Sequence, residues 1–133
     1  MLPFLIAVVE DEEPVRKALS RLLRAAGLHT VTFEGGEAFL ESLAITHPDC
    51  LILDLHMPGM SGLELMHELK ARNIAIPVIM ITAHDEPFSR RRCLDVGAYS
   101  YMRKPLDEAA LLDAIAEAMG HRPAFKRQPA SAA

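Results

Sequence analysis

Phe4-Leu5-Ile6-Ala7-Val8-Val9, followed at once by Glu10-Asp11-Glu12-Glu13-Pro14, decides the fold. An unbroken apolar run rich in branched side chains makes a short strand with both faces covered, because a strand with one wet face would alternate apolar with polar residues. The run therefore predicts a parallel sheet held between layers of helices. The abrupt change to four acids ends the strand, and Pro14 suits the first turn of a helix. Along that helix Val15, Ala18, Leu19, Leu22, Leu23 and Ala26 form one apolar face, and Gly27 closes it as a left-handed cap.

Outward from this unit the same alternation recurs, five times in all and without a sequence repeat of solenoid type. The strand candidates are Phe4–Val9, His29–Phe33, Cys50–Leu53, Val78–Thr82 and Tyr99–Met102. After the first helix, a second is expected from Gly36 to Ile45, ending before His47-Pro48. A third is capped by Ser61 with Glu64 completing a capping box, and its Leu65, Met66 and Leu69 turn to the core. A fourth starts near Pro87 and stops at Gly97, and a fifth runs from Asp107 to Met119, with Gly120 ending it. Right-handed crossovers then give an α/β doubly wound, five-stranded parallel sheet flanked by five helices, two on one face and three on the other. Ligands in such folds sit beyond the carboxyl ends of the strands.

Composition bounds the function. A chain of 133 residues holds one domain and a short tail, too little for a kinase, a polymerase or a two-domain dehydrogenase. Half of the residues are apolar and 24% charged, which is enough for one core and argues against disorder. Cys50 and Cys93 lie in no metal-site spacing and read as buried reduced thiols. The longest apolar stretch, Met1 to Val9, is too short to span a bilayer, and the first basic residue, Arg16, follows the acids instead of preceding an apolar run, so a cytoplasmic protein is expected. Net charge is −4, and Arg122, Lys126 and Arg127 all lie beyond Gly120 with no acid among them, so the body is more acidic still. Such a surface is not expected to contact nucleic acid.

What lies past each strand end carries the chemistry. Glu10 and Asp11 follow the first strand, Asp54 the third, Thr82 closes the fourth, and Lys104-Pro105 follows the fifth. Carboxylates converging on one edge repel unless a cation sits among them, and hard oxygen ligands suit Mg²⁺. An acidic pocket holding Mg²⁺ beside a lysine is chemistry for a phosphoryl group. Glu12 and Glu13 read as favourable charges at a helix amino end. Asp49 and Asp85 read as turn or cap residues. The six histidines have no paired metal spacing, and Arg90-Arg91-Arg92 forms the most basic local cluster.

These residues carry a family resemblance. Val9-Glu10-Asp11-Glu12-Glu13-Pro14-Val15-Arg16, Leu53-Asp54-Leu55-His56-Met57-Pro58-Gly59-Met60-Ser61-Gly62, Ile81-Thr82-Ala83 and Gly97 to Pro105 resemble, in order and spacing over residues 4–120, the receiver domain of two-component response regulators, the CheY-like superfamily, and most of all receivers of the FixJ type. The resemblance implies a flavodoxin-like sheet with strand order 2-1-3-4-5. It makes Asp54 the phosphoacceptor, with a sensor histidine kinase or histidine phosphotransfer protein as donor. Glu10, Asp11, Asp54 and the backbone carbonyl of His56 would hold Mg²⁺, with Asp11 a better ligand than the longer Glu10. Lys104 would pair with a phosphate oxygen, turned inward by a cis Lys104-Pro105 bond. Thr82 would follow the phosphoryl group and Ala83 would offer its backbone N–H. Tyr101 would be the switch aromatic, and His84 and His56 would tune phosphoryl lifetime. The protein would assist its own phosphorylation and autodephosphorylation rather than act as a conventional enzyme. Its output would be the face formed by the fourth helix, fifth strand and fifth helix, which binds a partner or a second copy.

Two rivals differ in class. A phosphorylation-independent interaction domain would keep the fold and lose a site residue, yet Asp11, Asp54, Thr82 and Lys104 are all present. A flavodoxin-like nucleotide binder would need a glycine-rich loop after the first strand, where four acids stand. Residues 1–120 are expected to form the receiver and 121–133 a basic Pro/Ala-containing tail or linker stub, too short for a DNA-binding domain.

Overall fold

The structure, a computed structural model, describes residues 4–120; the expected tail at 121–133 lies outside the described residues. Five strands, β1 (Leu5–Val9), β2 (His29–Phe33), β3 (Cys50–Asp54), β4 (Val78–Thr82) and β5 (Ser100–Arg103), alternate with α1 (Glu13–Ala25), α2 (Gly36–Ser42), α3 (Gly62–Ala71), α4 (Ser89–Val96) and α5 (Glu108–Gly120). All pairings are parallel and the order is β2-β1-β3-β4-β5, the doubly wound arrangement expected.

The sandwich follows from the two-residue period of a strand. Ala7, Val9, Leu51, Leu53, Val78 and Met80 face one layer, against Phe39 of α2, Leu65, Met66 and Leu69 of α3 and Cys93 of α4. The alternate residues Ile6, Val8, Cys50, Ile52, Ile79 and Ile81 face the other, against Leu19 and Leu23 of α1 and Leu111 and Ile115 of α5. Both cysteines are buried thiols, as read from their spacing. Among the described residues no helix is long and apolar enough to cross a membrane.

Local chemistry sets the helix ends. Gly27 adopts φ +85° beyond α1, a left-handed conformation that glycine takes without Cβ strain. Ser61 Oγ accepts from the Glu64 N–H at 3.1 Å while Glu64 Oε1 accepts from the Ser61 N–H at 2.9 Å, the reciprocal box read in the sequence. Two helices differ from expectation. α4 begins at Ser89 instead of Pro87, because Glu86–Ser89 close a turn through a Ser89 N–H bond to the Glu86 carbonyl at 3.1 Å. Proline second and a positive-φ residue third, Phe88 at +68°, is the pattern of a type II turn. α2 stops at Ser42 because Leu43, Ala44 and Ile45 bond three residues back, tightening the chain out of the α-helix. α5 runs to Gly120, the last of the described residues.

Candidate phosphoacceptor site

The parallel register brings the expected residues to one edge. β1 delivers Glu10, β3 ends on Asp54, β4 ends on Thr82, and Lys104 follows β5, its N–H bonded to the Thr82 carbonyl at 2.8 Å. Glu10, Asp54 and Thr82 are almost wholly buried although polar, which is costly unless each is compensated.

Carboxylate oxygens of Glu10, Asp11 and Asp54 lie within 4.8 Å of one another. Lys104 Nζ faces them, 2.6 Å from Glu10 Oε1, 3.6 Å from Asp54 Oδ2 and 3.7 Å from Glu12 Oε1. The lysine thus leans on Glu10 more closely than on the expected phosphoacceptor. Burial opposes its charge, but pairing with Glu10 and the charges of Asp54 and Glu12 outweigh that and hold its pKa above the ordinary value. Burial first, then the Glu10 carboxylate, push the Asp54 pKa up to about 8, with Lys104 pulling the other way and Asp11 adding to the rise. Asp54 Oδ1 also accepts the His56 N–H at 3.3 Å.

Gly62, the first residue of α3, explains how the end of β3 is held. A Cβ there would lie 2.5 Å from the Asp54 carbonyl oxygen and 2.9 Å from Leu55 Cα. The absent side chain lets the helix start touch the backbone of the candidate phosphoacceptor, and the Gly62 N–H bonds the Leu55 carbonyl at 2.9 Å.

The Thr82 hydroxyl is engaged with the following loop, donating to the His84 carbonyl at 3.0 Å and accepting the His84 N–H at 3.1 Å. Tyr101 is buried, 6% exposed, and its hydroxyl donates to Asp85 Oδ1 at 2.9 Å. Burial and Asp85 together push its pKa up to about 12, so the phenol keeps its proton. Ala83, His56 and His84 are exposed, the two imidazoles edge to face with centroids 6.0 Å apart. The Lys104-Pro105 bond is cis.

Other readings change. Asp85 does more than shape a turn, since it joins Tyr101 to the loop and faces Arg103 Nε at 3.7 Å; its place three residues after Thr82 was the available signal. Asp49 clips β1, accepting the Leu5 N–H at 2.8 Å. Glu13 pairs with Lys17 at 2.7 Å on the helix surface, while Glu12, at the amino end of α1, also reaches toward Lys104. Arg90, Arg91 and Arg92 are exposed, with Arg91 3.7 Å from Asp95. Arg16, to which sequence reading assigned no role, donates from Nη1 to the Glu10 carbonyl at 2.8 Å.

This fold with acids, a hydroxyl and an ammonium at the carboxyl edge of a parallel sheet defines a class, and comparison with known proteins agrees. Residues 6–116 match the response regulator receiver domain, and the chain belongs to that family. Receivers of this family exchange signals with histidine kinases or phosphotransfer proteins. The chain is 38% identical over 117 residues to the DNA-binding transcriptional regulator NtrC of Escherichia coli, covering 88% of this chain and 25% of that protein. It is 33% identical over 123 residues to the transcriptional regulatory protein FixJ of Azorhizobium caulinodans, covering 92% of this chain and 58% of FixJ. The chain thus spans a quarter to somewhat over half of these regulators. The crystal structure of FixJ-N superposes with a TM-score of 0.85 at 34% identity, over 94% of this chain and all of that one. The likeness to FixJ-type receivers read from the motifs therefore holds.

Proposed function

We propose that this receiver is a phosphorylation-activated switch with Asp54 as the phosphoacceptor. The carrying observation is the convergence of the Glu10, Asp11 and Asp54 carboxylates within 4.8 Å, faced by the Lys104 ammonium. Among the described residues the candidate ligand atoms of this cluster are all carboxylate oxygens, and Glu10 Oε1 is buried with the Lys104 ammonium at 2.6 Å as its partner. That donor set fits a hard divalent cation. Glu10, Asp11, Asp54 and the backbone carbonyl of His56 would hold Mg²⁺, which when bound neutralises charge on a transferring phosphoryl group.

An Asp54 oxygen attacks the phosphorus of a phosphohistidine on a kinase or phosphotransfer protein. The P–N bond breaks, the imidazole nitrogen leaves with the electron pair and takes up the proton that Asp54 gives up, and an aspartyl phosphate forms. Lys104 lies close enough to exchange part of its pairing with Glu10 for a phosphoryl oxygen. Thr82 releases the His84 backbone to donate its hydroxyl to the new acceptor oxygens, and the Ala83 N–H provides a further donor. The new charge thereby reaches the β4–α4 loop and, through Asp85, Tyr101. The α4–β5–α5 face is the surface that changes, presented to a partner, a second copy or an output domain. Residues 1–120 are the switch, residues 121–133 its tail, and the setting is cytoplasmic with no nucleic acid contact by this segment.

Incubation with Mg²⁺ and acetyl phosphate is expected to give one phosphoryl adduct on wild type by intact mass, and none on Asp54→Asn. An equal adduct on the variant, or none on wild type, sinks the reading. His56 and His84 are exposed, each two residues past Asp54 or Thr82, with ring centroids 6.0 Å apart, so replacing both with alanine should change the aspartyl-phosphate half-life by roughly threefold or more, about 0.7 kcal/mol of barrier. An unchanged decay of the adduct would remove the histidines from that role.

A further inference from the structure

We infer that Arg16 is a positioning residue for the cation-binding carboxylates, holding the β1–α1 loop so that Glu10 and Asp11 stay turned into the pocket. The inference rests on the phosphoacceptor reading above and adds a group that touches neither cation nor phosphoryl.

Arg16 Nη1 donates to the Glu10 carbonyl at 2.8 Å and reaches the Asp11 carbonyl at 3.4 Å. It is thus bonded to the backbone of two consecutive candidate ligands. Nη2 faces Glu34 Oε1 at 3.6 Å, but the Glu34 side chain is 85% exposed and the Arg16 side chain only 13%, so the carbonyls are the firmer anchor. The rest of the loop is tied from other sides. The Glu10 N–H bonds the Phe33 carbonyl at 3.1 Å, and the Arg16 N–H bonds the Glu12 carbonyl at 2.9 Å. The Glu12 N–H donates to Glu10 Oε2 at 3.1 Å. Without the guanidinium, the Asp11 carbonyl loses its reach to a charged donor, while three acids crowded within 4.8 Å repel. The cheapest relief is for the loop to swing Asp11 toward water. Arginine suits the task because one guanidinium nitrogen, Nη1, reaches both carbonyls while Nη2 faces Glu34 in the same plane, whereas the lysine ammonium is a single strongly hydrated point.

The test is a Mg²⁺ titration of the full chain by calorimetry, alongside the Mg²⁺ dependence of adduct formation from acetyl phosphate. Arg16→Ala is expected to weaken Mg²⁺ binding about tenfold, the usual effect of removing a partner that orients a metal ligand. At saturating Mg²⁺ its adduct should form at a rate within about twofold of wild type, because only the cation concentration needed has risen. Arg16→Lys, the milder change should Arg16→Ala not fold, is expected to weaken binding by about threefold or more. Glu34→Gln, which leaves the carbonyl bonds intact, should bind within about twofold of wild type. Affinity within twofold in Arg16→Lys and in any folded Arg16→Ala overturns the proposal, as does a rate that saturating Mg²⁺ fails to restore. A wild type that binds no Mg²⁺ overturns the phosphoacceptor reading, and this inference with it.

Discussion

In metal-free buffer at pH 8.5, Asp54→Asn is expected to be more stable than wild type by about 2 kcal/mol, roughly 5–10 °C in Tm for a domain of this size. The native Asp54 carboxyl is held up to about 8 by burial and by Glu10, against an ordinary value of 3.8. Between those two values the folded protein keeps a proton that the unfolded chain has already lost. Folding stability therefore falls as pH rises through that window and reaches its full loss above about 8; below the ordinary carboxylate value the penalty vanishes. Each unit is worth about 1.36 kcal/mol, but the gain falls well short of the full shift because removing the Asp54 charge also deprives Lys104 of a counter-ion, leaving mainly Glu10. Thermal melts of both proteins from pH 5 to 8.5 with EDTA measure the difference, and the comparison cancels the histidines they share. Added Mg²⁺ should raise the wild-type Tm more than that of the variant, since it relieves the same repulsion. Equal pH slopes for the two proteins would show that Asp54 is not held above the ordinary range.

Gly62→Ala should destabilise the domain by about 3 kcal/mol and slow adduct formation at Asp54. The new methyl would sit 2.5 Å from the Asp54 carbonyl oxygen, 2.9 Å from Leu55 Cα and 3.0 Å from Met80 Sδ. Two of those neighbours are backbone, which cannot turn aside as a side-chain end can. Overpacking of this kind costs about 1–3 kcal/mol, and loosening the Gly62 bond to the Leu55 carbonyl adds about 1. The better helix propensity of alanine returns at most about 1 kcal/mol and counts least at the first helical position. Urea unfolding measures the loss. A cost below about 1 kcal/mol would mean that α3 shifts easily away from β3.

These two residues also mark how far the sequence could be read. Gly62 stood inside a quoted motif, but its glycine is required by a contact with Asp54 and Leu55, and that approach exists only after α3 docks. Arg16 and Asp85 share the same cause of invisibility. Each acts by bonding a group brought near by folding, Arg16 the carbonyls of the β1–α1 loop and Asp85 the hydroxyl of Tyr101 on another strand. Helix ends were legible where a local signal set them, as with Ser61, Glu64 and Gly27, and misjudged at Pro87, where one residue type serves both a helix start and a turn.

Determined by the sequence alone were the parallel sheet and its two helical layers, since unbroken runs such as Ile6–Val9 and Leu51–Leu53 can only be covered on both faces. The same strand rhythm set which residues leave the sheet at its carboxyl edge, because chain direction is fixed once the crossovers share one hand. Only the tertiary structure decided the electrostatics there. Lys104 leans closer to Glu10 than to Asp54, the Thr82 hydroxyl is bound to the His84 backbone, and Tyr101 is buried on Asp85. Distances between charges and the water excluded from them are properties of the packed molecule, and they decide which carboxylate keeps its proton.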